Sequence, residues 1–391
     1  MRKLRIHVIN KYFYPVTGGG EVNIQETHKH FLNKGWTVTV HSSQDTLTEK
    51  NVLAKYDEIE GIKIMRYPYR KFGFFPRIDW NETDVISLHN FNIFPHFQIM
   101  LYVIWLKLLK KKKFIFGLTP HGGFNPEWIT FGRLAGIIKK IYHYTVGVVL
   151  INASLDIVRA VSEWEHDQLV LKGVNKKKVV TLTNGIENEA YLDIEKLASK
   201  ETKEKIKSYG KYILQVGRIH PIKNYEITIK ALVKLKDINY LIVGPDQDLQ
   251  YKLKLKNLIK KLKLDERVKF LGSVTGIDKF YIMKNAELMV HMASWESFCN
   301  VVHEGMSQGL VCIVSDRTAL PHLVKDGVNG YCLDVYDDEA LAKKIKFVLE
   351  NKNSPVIKGI KKRNIQLAKD HTWENVSKEV ERFYLNLYKS I

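Results

Sequence analysis

At 391 residues the chain exceeds the usual size of a single hydrophobic core, and with 45% apolar residues it can build two. A formal charge of +19 points to anionic partners: phosphorylated substrates, acidic lipid or nucleic acid. Cys299, Cys312 and Cys332 are odd in number and lack metal-ligand spacing, which argues against a disulfide framework and fits a reducing cytoplasm.

The opening MRKLRIHVIN is too short in its apolar part for a signal peptide and reads as a first strand. Further strands are predicted at Thr37–His41, Ile62–Arg66, Val85–Leu88, Phe114–Leu118, Leu150–Asn152, Arg159–Val161 and Val179–Thr181. Ile99 to Leu109, taken as the longest apolar stretch, contains Lys107 and falls short of a spanning helix. The expectation is a protein in solution or on a membrane surface. After a charged, helix-prone stretch from Asp193 to Lys207, a second set of strands is predicted at Tyr212–Val216, Tyr240–Val243, Val268–Leu271, Leu288–His291, Val311–Val314 and Gly330–Leu333. Strands alternating with helical periodicity argue for parallel sheets covered by helices, and two sets argue for two doubly wound domains. Ligand is then expected outside the carboxyl ends of the strands, between the domains. The boundary is placed between about Glu187 and Gly210, where apolar patterning lapses.

WESFCNVVHEGMSQGLVCIVSD, from Trp295 to Asp316, is the most informative segment. Glu296 precedes a turn, Ser297 to Asn300, that leads into a helix-like run holding Glu304 and ending at Gly309. Free amides and the positive dipole end at a helix start suit a phosphate, and flanking carboxylates can accept sugar hydroxyls. GRIHPIKN follows the first strand of the second set and carries Arg218 and Lys223, two cations able to neutralise a diphosphate leaving group. Alone they would read as solvated surface cations; their place after a strand favours function. PVTGGGEVN, following the first strand, brings Gly18, Gly19 and Gly20 near a helix start. It fails as a dinucleotide fingerprint because Asn23 stands where the third glycine belongs. In TPHGGF, His121 ends a strand, with a structural and a sugar-contacting role about equally supported. Asp246 and Asp248 resemble a metal-holding D-x-D, but three-residue patterns arise by chance, and Asp337-Asp338 reads as a helix start. Tyr251 to Leu264 reads as a helix with a solvated face. RYPYRKFGFFPR, Arg66 to Arg77, interleaves five aromatics with four cations and suits an anionic lipid surface, or a loop that buries its rings. Nucleic acid is not expected, since no recognised binding motif accompanies the charge.

Together TGGGE, TPHGG, TNGIE, GRIHPIKN, VKFLGSV and the E-x7-E of Glu296 and Glu304 resemble the retaining glycosyltransferases of family 4, in that family's order over nearly the whole chain. The resemblance implies a GT-B fold: two Rossmann-like doubly wound domains facing a cleft. The N-terminal one would span 1–190, joined by a returning helix in 373–391, and the C-terminal donor domain 191–372. It implies that Arg218 and Lys223 bind the donor diphosphate and that Glu304 holds the ribose. Glu296 and the backbone of Phe298, Cys299 and Asn300 would hold the sugar and distal phosphate. Gly272, Ser273 and Val274 would contact the base, Gly19 and Gly20 the phosphate, and His121 the sugar near its anomeric carbon. Glu296, His121, Arg218 and Lys223 are the implied catalytic set, and no metal cofactor is expected. The donor would be a UDP- or GDP-sugar and the acceptor a hydroxyl on a lipid carrier or growing glycan, used in the cytoplasm or at the inner face of the cell membrane. Competing readings are a nucleotide-sugar epimerase on the same fold and a non-catalytic protein that binds anionic ligands. Glu187 replaces the family's usual Asp, Gly305 its Ala and Leu310 its Pro; the second change predicts a weaker local helix.

Overall fold

The computed structural model describes residues 3–16, 18–47 and 49–389, so Thr17 of the TGGGE motif lies outside the described residues. The chain divides into two compact units. One is the chain up to Gly185 together with Trp373 onward, and the other is Ile186–Thr372.

In the first unit the strands are β1 (Arg5–Ile9), β2 (Thr37–Ser43), β3 (Tyr56–Ile59), β4 (Ile62–Tyr67), β5 (Val85–His89), β6 (Ile115–Thr119), β7 (Ile157–Ala160) and β8 (Val179–Thr181). They form one sheet in the order β3-β4-β2-β1-β5-β6-β7-β8. Pairing is parallel throughout except that β3 runs antiparallel to β4. β5 and β6 are buried along their whole length, as parallel strands between two helical layers must be.

Two strand expectations are corrected. β3, with the sequence YDEI, was not predicted because it is mostly exposed and has no apolar face. It is held to β4 by a two-residue turn at Glu60-Gly61, both with positive φ, which matches the twist of a hairpin. Leu150–Asn152, predicted as a strand, lies in the helix Val148–Ser154. A three-residue apolar run shows no period, so sequence alone cannot separate the two states.

Ile99–Leu109 is likewise not the longest apolar element. The helical run Arg133–Ser154 is long and apolar enough to cross a membrane by length and composition. Lys139 and Lys140 break it up in sequence. Its last part is nevertheless built into the unit's core, where Val148, Leu150 and Ile151 are buried.

The closing helix Trp373–Tyr388 packs on the helix Gly19–Asn33, with Phe31 near Tyr384 and Glu381 paired to Lys34 and His30. Gly185 of TNGIE allows the chain to enter this packing: a Cβ there would lie 2.5 Å from the Trp373 backbone.

The second unit has a six-stranded parallel sheet in the order β11-β10-β9-β12-β13-β14. Its strands are β9 (Tyr212–Val216), β10 (Asn239–Val243), β11 (Val268–Gly272), β12 (Leu288–His291), β13 (Cys312–Ser315) and β14 (Gly330–Leu333). Alternation along β9 serves two cores, with Tyr212, Leu214 and Val216 in one and Ile213 in the other. Gln215 is the buried polar exception. Asp248 caps the helix Leu249–Lys261 through the Tyr251 amide (2.8 Å), and Asp246 pairs with Lys252 (2.6 Å), so the D-x-D pattern serves local structure. Asp337 caps the helix Asp338–Glu350 in the same way. At Gly305 the weaker helix former has a packing reason: an added Cβ would meet the Met289 thioether at 2.9 Å.

Candidate active site

In the second unit β9 lies between β10 and β12, so chain connections leave it in both directions and the loops after β9 and β12 part at the sheet's carboxyl edge. The first of these loops carries Arg218 and Lys223, the second Glu296. Gln215, inside β9, donates to the Lys223 carbonyl (2.8 Å) and accepts from the Tyr240 hydroxyl (2.6 Å). It therefore fixes the turn Pro221–Lys223 from below. The His220 ring caps that turn by accepting from the Ile222 amide (3.3 Å). Lys223 then points its ammonium at Glu296 Oε1.

The same carboxylate oxygen lies 2.7 Å from His291 Nε2, at the end of β12, and the Glu296 amide donates to Thr318 Oγ1 (2.8 Å). Burial alone would raise the Glu296 pKa, but the Lys223 charge and the His291 hydrogen bond outweigh it and hold the carboxyl well below its usual range. His291 is lowered by burial, against the pull of Glu296. Cys299 is close enough that its sulfur, a His291 nitrogen and a Glu296 oxygen lie within 4.8 Å of one another. This set fits a cation poorly: the lysine already occupies the carboxylate, and burial pushes the thiol well above its usual range.

Cys299 adopts φ 82 and caps the helix Asn300–Ser307, which turns the chain sharply just before the helix. Among the described residues the amides of Phe298 and Cys299 find no acceptor, leaving donors at a positive dipole end. Glu304 lies one turn inside this helix and is buried. It does not share the Lys223 cluster. Lys279, from the helix Gly276–Lys284, sits 3.0 Å from Glu304 Oε2 and 3.0 Å from Glu187 Oε2. The contact to Glu304 is an ion pair without hydrogen-bond alignment, so that buried oxygen remains short of a donor. Burial raises the Glu304 pKa, Lys279 pulls it down and the Glu187 charge pushes it up again. Glu187, where the family usually shows Asp, reaches the shared lysine.

Arg218 is exposed and makes no ion pair among the described residues. Its loop is pressed against the one after β10, since a Cβ at Gly244 would fall 1.9 Å from the Gly217 carbonyl. The Gly244 amide in turn donates to the Gly272 carbonyl (2.8 Å), which brings exposed Gly272 and Ser273 to the same carboxyl edge; Val274 packs on the core.

The remaining expected residues belong to the first unit. Gly19 and Gly20 open the helix Gly19–Asn33. A Cβ at Gly20 would touch the His121 ring at 3.5 Å and the Asn90 amide at 3.7 Å, so the helix start and His121 are neighbours. His121, at φ 51, lies 2.9 Å from His89, which reaches Ser87 (3.1 Å). Burial, reinforced by nearby Arg159, lowers His121 to about 3, so it is neutral at physiological pH. Arg159 is itself buried and clamped by the carbonyls of Leu182 and Thr183 (3.1 Å each) with no carboxylate in ion-pair range among the described residues. Glu165 accepts from the Gly122 and Val161 amides, shaping the loop next to His121, and burial raises its pKa to about 7.

Sequence reasoning missed His291, Lys279, His89 and Arg159. The strand-end rule applied to His121 would have flagged His291, the last residue of a predicted strand. Nothing local marks Lys279. Arg66, the first cation of the expected lipid-facing segment, is buried and bonds the Tyr14 and Ala54 carbonyls and Asp57. Tyr67 and Phe74 stack inward (5.1 Å), leaving Phe72 and Phe75 as the segment's exposed rings. Tyr69 is partly buried, and Arg70, Lys71 and Arg77 remain exposed.

Two parallel-sheet α/β units, one with an ion-paired cradle at its switch point, define a GT-B protein of Rossmann-like halves. Residues 17–190 match the model for Glycosyltransferase Family 4, and residues 198–364 the model for Glycosyl transferases group 1. The chain belongs to glycosyltransferase family 4 and is a glycosyltransferase. An uncharacterized glycosyltransferase of Methanocaldococcus jannaschii is 26% identical over 99% of this chain and 100% of its own length. A GDP-mannose:cellobiosyl-diphosphopolyprenol alpha-mannosyltransferase of Xanthomonas campestris is 24% identical over 83% of this chain and 82% of its own. Among solved structures, Anabaena HepE in complex with UDP and glucose superposes with a TM-score of 0.75 at 18% identity, covering 98% of this chain and 100% of that one.

Proposed function

We propose that this enzyme transfers a hexose-type sugar, with retained anomeric configuration, from a UDP- or GDP-sugar to a hydroxyl acceptor on a lipid carrier or growing glycan. The observation that carries it is the cluster of Lys223, Glu296 and His291 beside the unbonded amides that precede the helix Asn300–Ser307. Lys223 is held at its root by Gln215 and at its tip by Glu296, so its charge is in place before substrate arrives. Such preorganisation favours charge developing on a leaving diphosphate and needs no rearrangement during the reaction. Exposed Arg218 supplies the second cation.

The sugar C1–O bond breaks with its electron pair going to the phosphate oxygen. The acceptor oxygen bonds C1 on the same face, and its proton passes to the departing phosphate oxygen. Glu304 holds the ribose hydroxyls and the exposed edge at Gly272 and Ser273 the base. The donor and acceptor classes are supported by the relative whose name specifies GDP-mannose and a diphosphopolyprenol acceptor, and the uridine alternative by the fold neighbour bound to UDP. No metal is assigned a role.

Lys223→Ala and Arg218→Ala test the reading. Each is expected to lower kcat by about 10²–10³-fold, the cost of removing one preorganised stabiliser of transition-state charge. Turnover near the wild-type rate in both variants, measured as nucleotide release with acceptor present, would refute the assignment.

A further inference from the structure

Residues 96–154 of the first unit hold eight lysines and arginines and a single carboxylate, Glu127. Lys107 and Lys112 are engaged by Asp156, and Lys139 stacks over the Phe131 ring at 3.8 Å. Lys110, Lys111, Lys113, Arg133 and Lys140 stay exposed with no ion pair among the described residues. Beside these charges lies an uncovered apolar stripe. In the helix Arg133–Tyr142 only Gly136 is buried, while Leu134, Ile137, Ile138 and Ile141 are 74%, 57%, 57% and 59% exposed. Their spacing of three, four and seven places them on one helical face. Trp105 and Leu108 (51% and 78% exposed) extend the apolar surface on the helix His96–Leu108, which packs against Val148–Ser154.

We propose that this face docks the enzyme on an anionic lipid bilayer, with the helix Arg133–Tyr142 lying in the interface. An apolar helical stripe flanked by lysine and arginine gains twice there, from acyl-chain contact and from headgroup charge. The helix lies on the bilayer and does not cross it, because Val148, Leu150 and Ile151, which continue the same run, are fixed in the protein core. A second copy of the chain is a poor occupant. The five unpaired cations, Lys110, Lys111, Lys113, Arg133 and Lys140, would face their like across a two-fold axis. The loop that carries His121 leads through the short helical turn Trp128–Phe131 into this helix, and His143, just beyond it, bonds the Phe124 carbonyl of that loop (3.0 Å). Docking therefore brings the candidate site's His121 loop towards the headgroups, where a lipid-carried acceptor would arrive. That last consequence rests on the proposed function; the docking does not.

Sedimentation with vesicles of phosphatidylcholine, alone or mixed with phosphatidylglycerol, tests the inference at low salt and without substrates. The full-length protein is expected to pellet with the anionic vesicles and to release as salt rises. Ile137→Glu with Ile141→Glu should weaken partitioning by about 100-fold or more. Lys110→Gln, Lys111→Gln and Lys113→Gln together should weaken it by about five-fold per lysine, with the circular dichroism spectrum unchanged. The lysine variant decides the matter if the glutamate variant misfolds. Wild-type protein remaining in the supernatant, variants that bind as wild type, or a dimer made monomeric by Ile137→Glu would each overturn it. Wild-type protein that transfers sugar but stays in the supernatant removes only this inference, and wild-type protein that binds the vesicles without transferring sugar removes only the catalytic reading.

Discussion

The candidate-site clusters of the two units treat buried ionisable groups in opposite ways. In the second, charge is retained by pairing: Glu296 with Lys223, and Glu304 and Glu187 with Lys279. Around His121 in the first, charge is suppressed by burial: His121, His89 and His28 are all pushed down, and Arg159 is held by the Leu182 and Thr183 carbonyls and the Thr27 hydroxyl (3.4 Å). A paired cradle can exchange partners with an incoming diphosphate, whereas a neutral imidazole can only donate or accept a hydrogen bond. Under the proposed function, electrostatic work falls to the second unit and positioning to the first.

The contrast breaks most visibly at its strongest pair. Lys223→Met would leave Glu296 buried with only His291, and a loss of about 3–5 kcal/mol in urea unfolding is expected. A cost below about 1 kcal/mol would mean that solvent reaches the pair and that burial is not its governing feature. In the first unit, Arg159→Met strands the Leu182 and Thr183 carbonyls, and about 3 kcal/mol should be lost. If stability is unchanged, the carbonyl clamp is not what holds β7 to the segment after β8. Lys279→Gln sharpens the comparison within the second unit. With its neutralising partner gone, Glu304 should take up a proton more readily and weaken nucleotide binding by about ten-fold, read by titration calorimetry.

The smallest effects are in pH. Glu296 has its folded pKa lowered below the ordinary 4.5, so its contribution to stability is present above that value and is lost as pH falls through the folded one. Glu304, raised, contributes with the opposite sign: its benefit is present at low pH and is lost as pH rises through its folded value. The stability gap between wild type and Glu296→Gln should therefore narrow as unfolding is measured from pH 5 to pH 3, a range of about one to two units around the ordinary carboxyl value. His121, neutral down to about 3, should add no break to kcat/KM between about pH 5 and 7. A break there that disappears in His121→Asn would show that the ring is charged in the free enzyme.

The amino-acid sequence determined the doubly wound class, because apolar runs alternating with 3.6-residue periodicity leave few other ways to bury both sheet faces. It also placed Lys223, Glu296 and the helix start together, since both cling to the carboxyl ends of predicted strands and strand ends at a switch point converge. It could not pair Glu304 with Lys279, because that contact joins two helices whose separation along the chain says nothing of their packing. Nor could it tell Leu150–Asn152 from a strand, or show that Arg66 turns inward while Ile137 and Ile141 remain uncovered. Composition records how much apolar and basic surface a chain carries. Only the packing of one element on another decides which of it faces water.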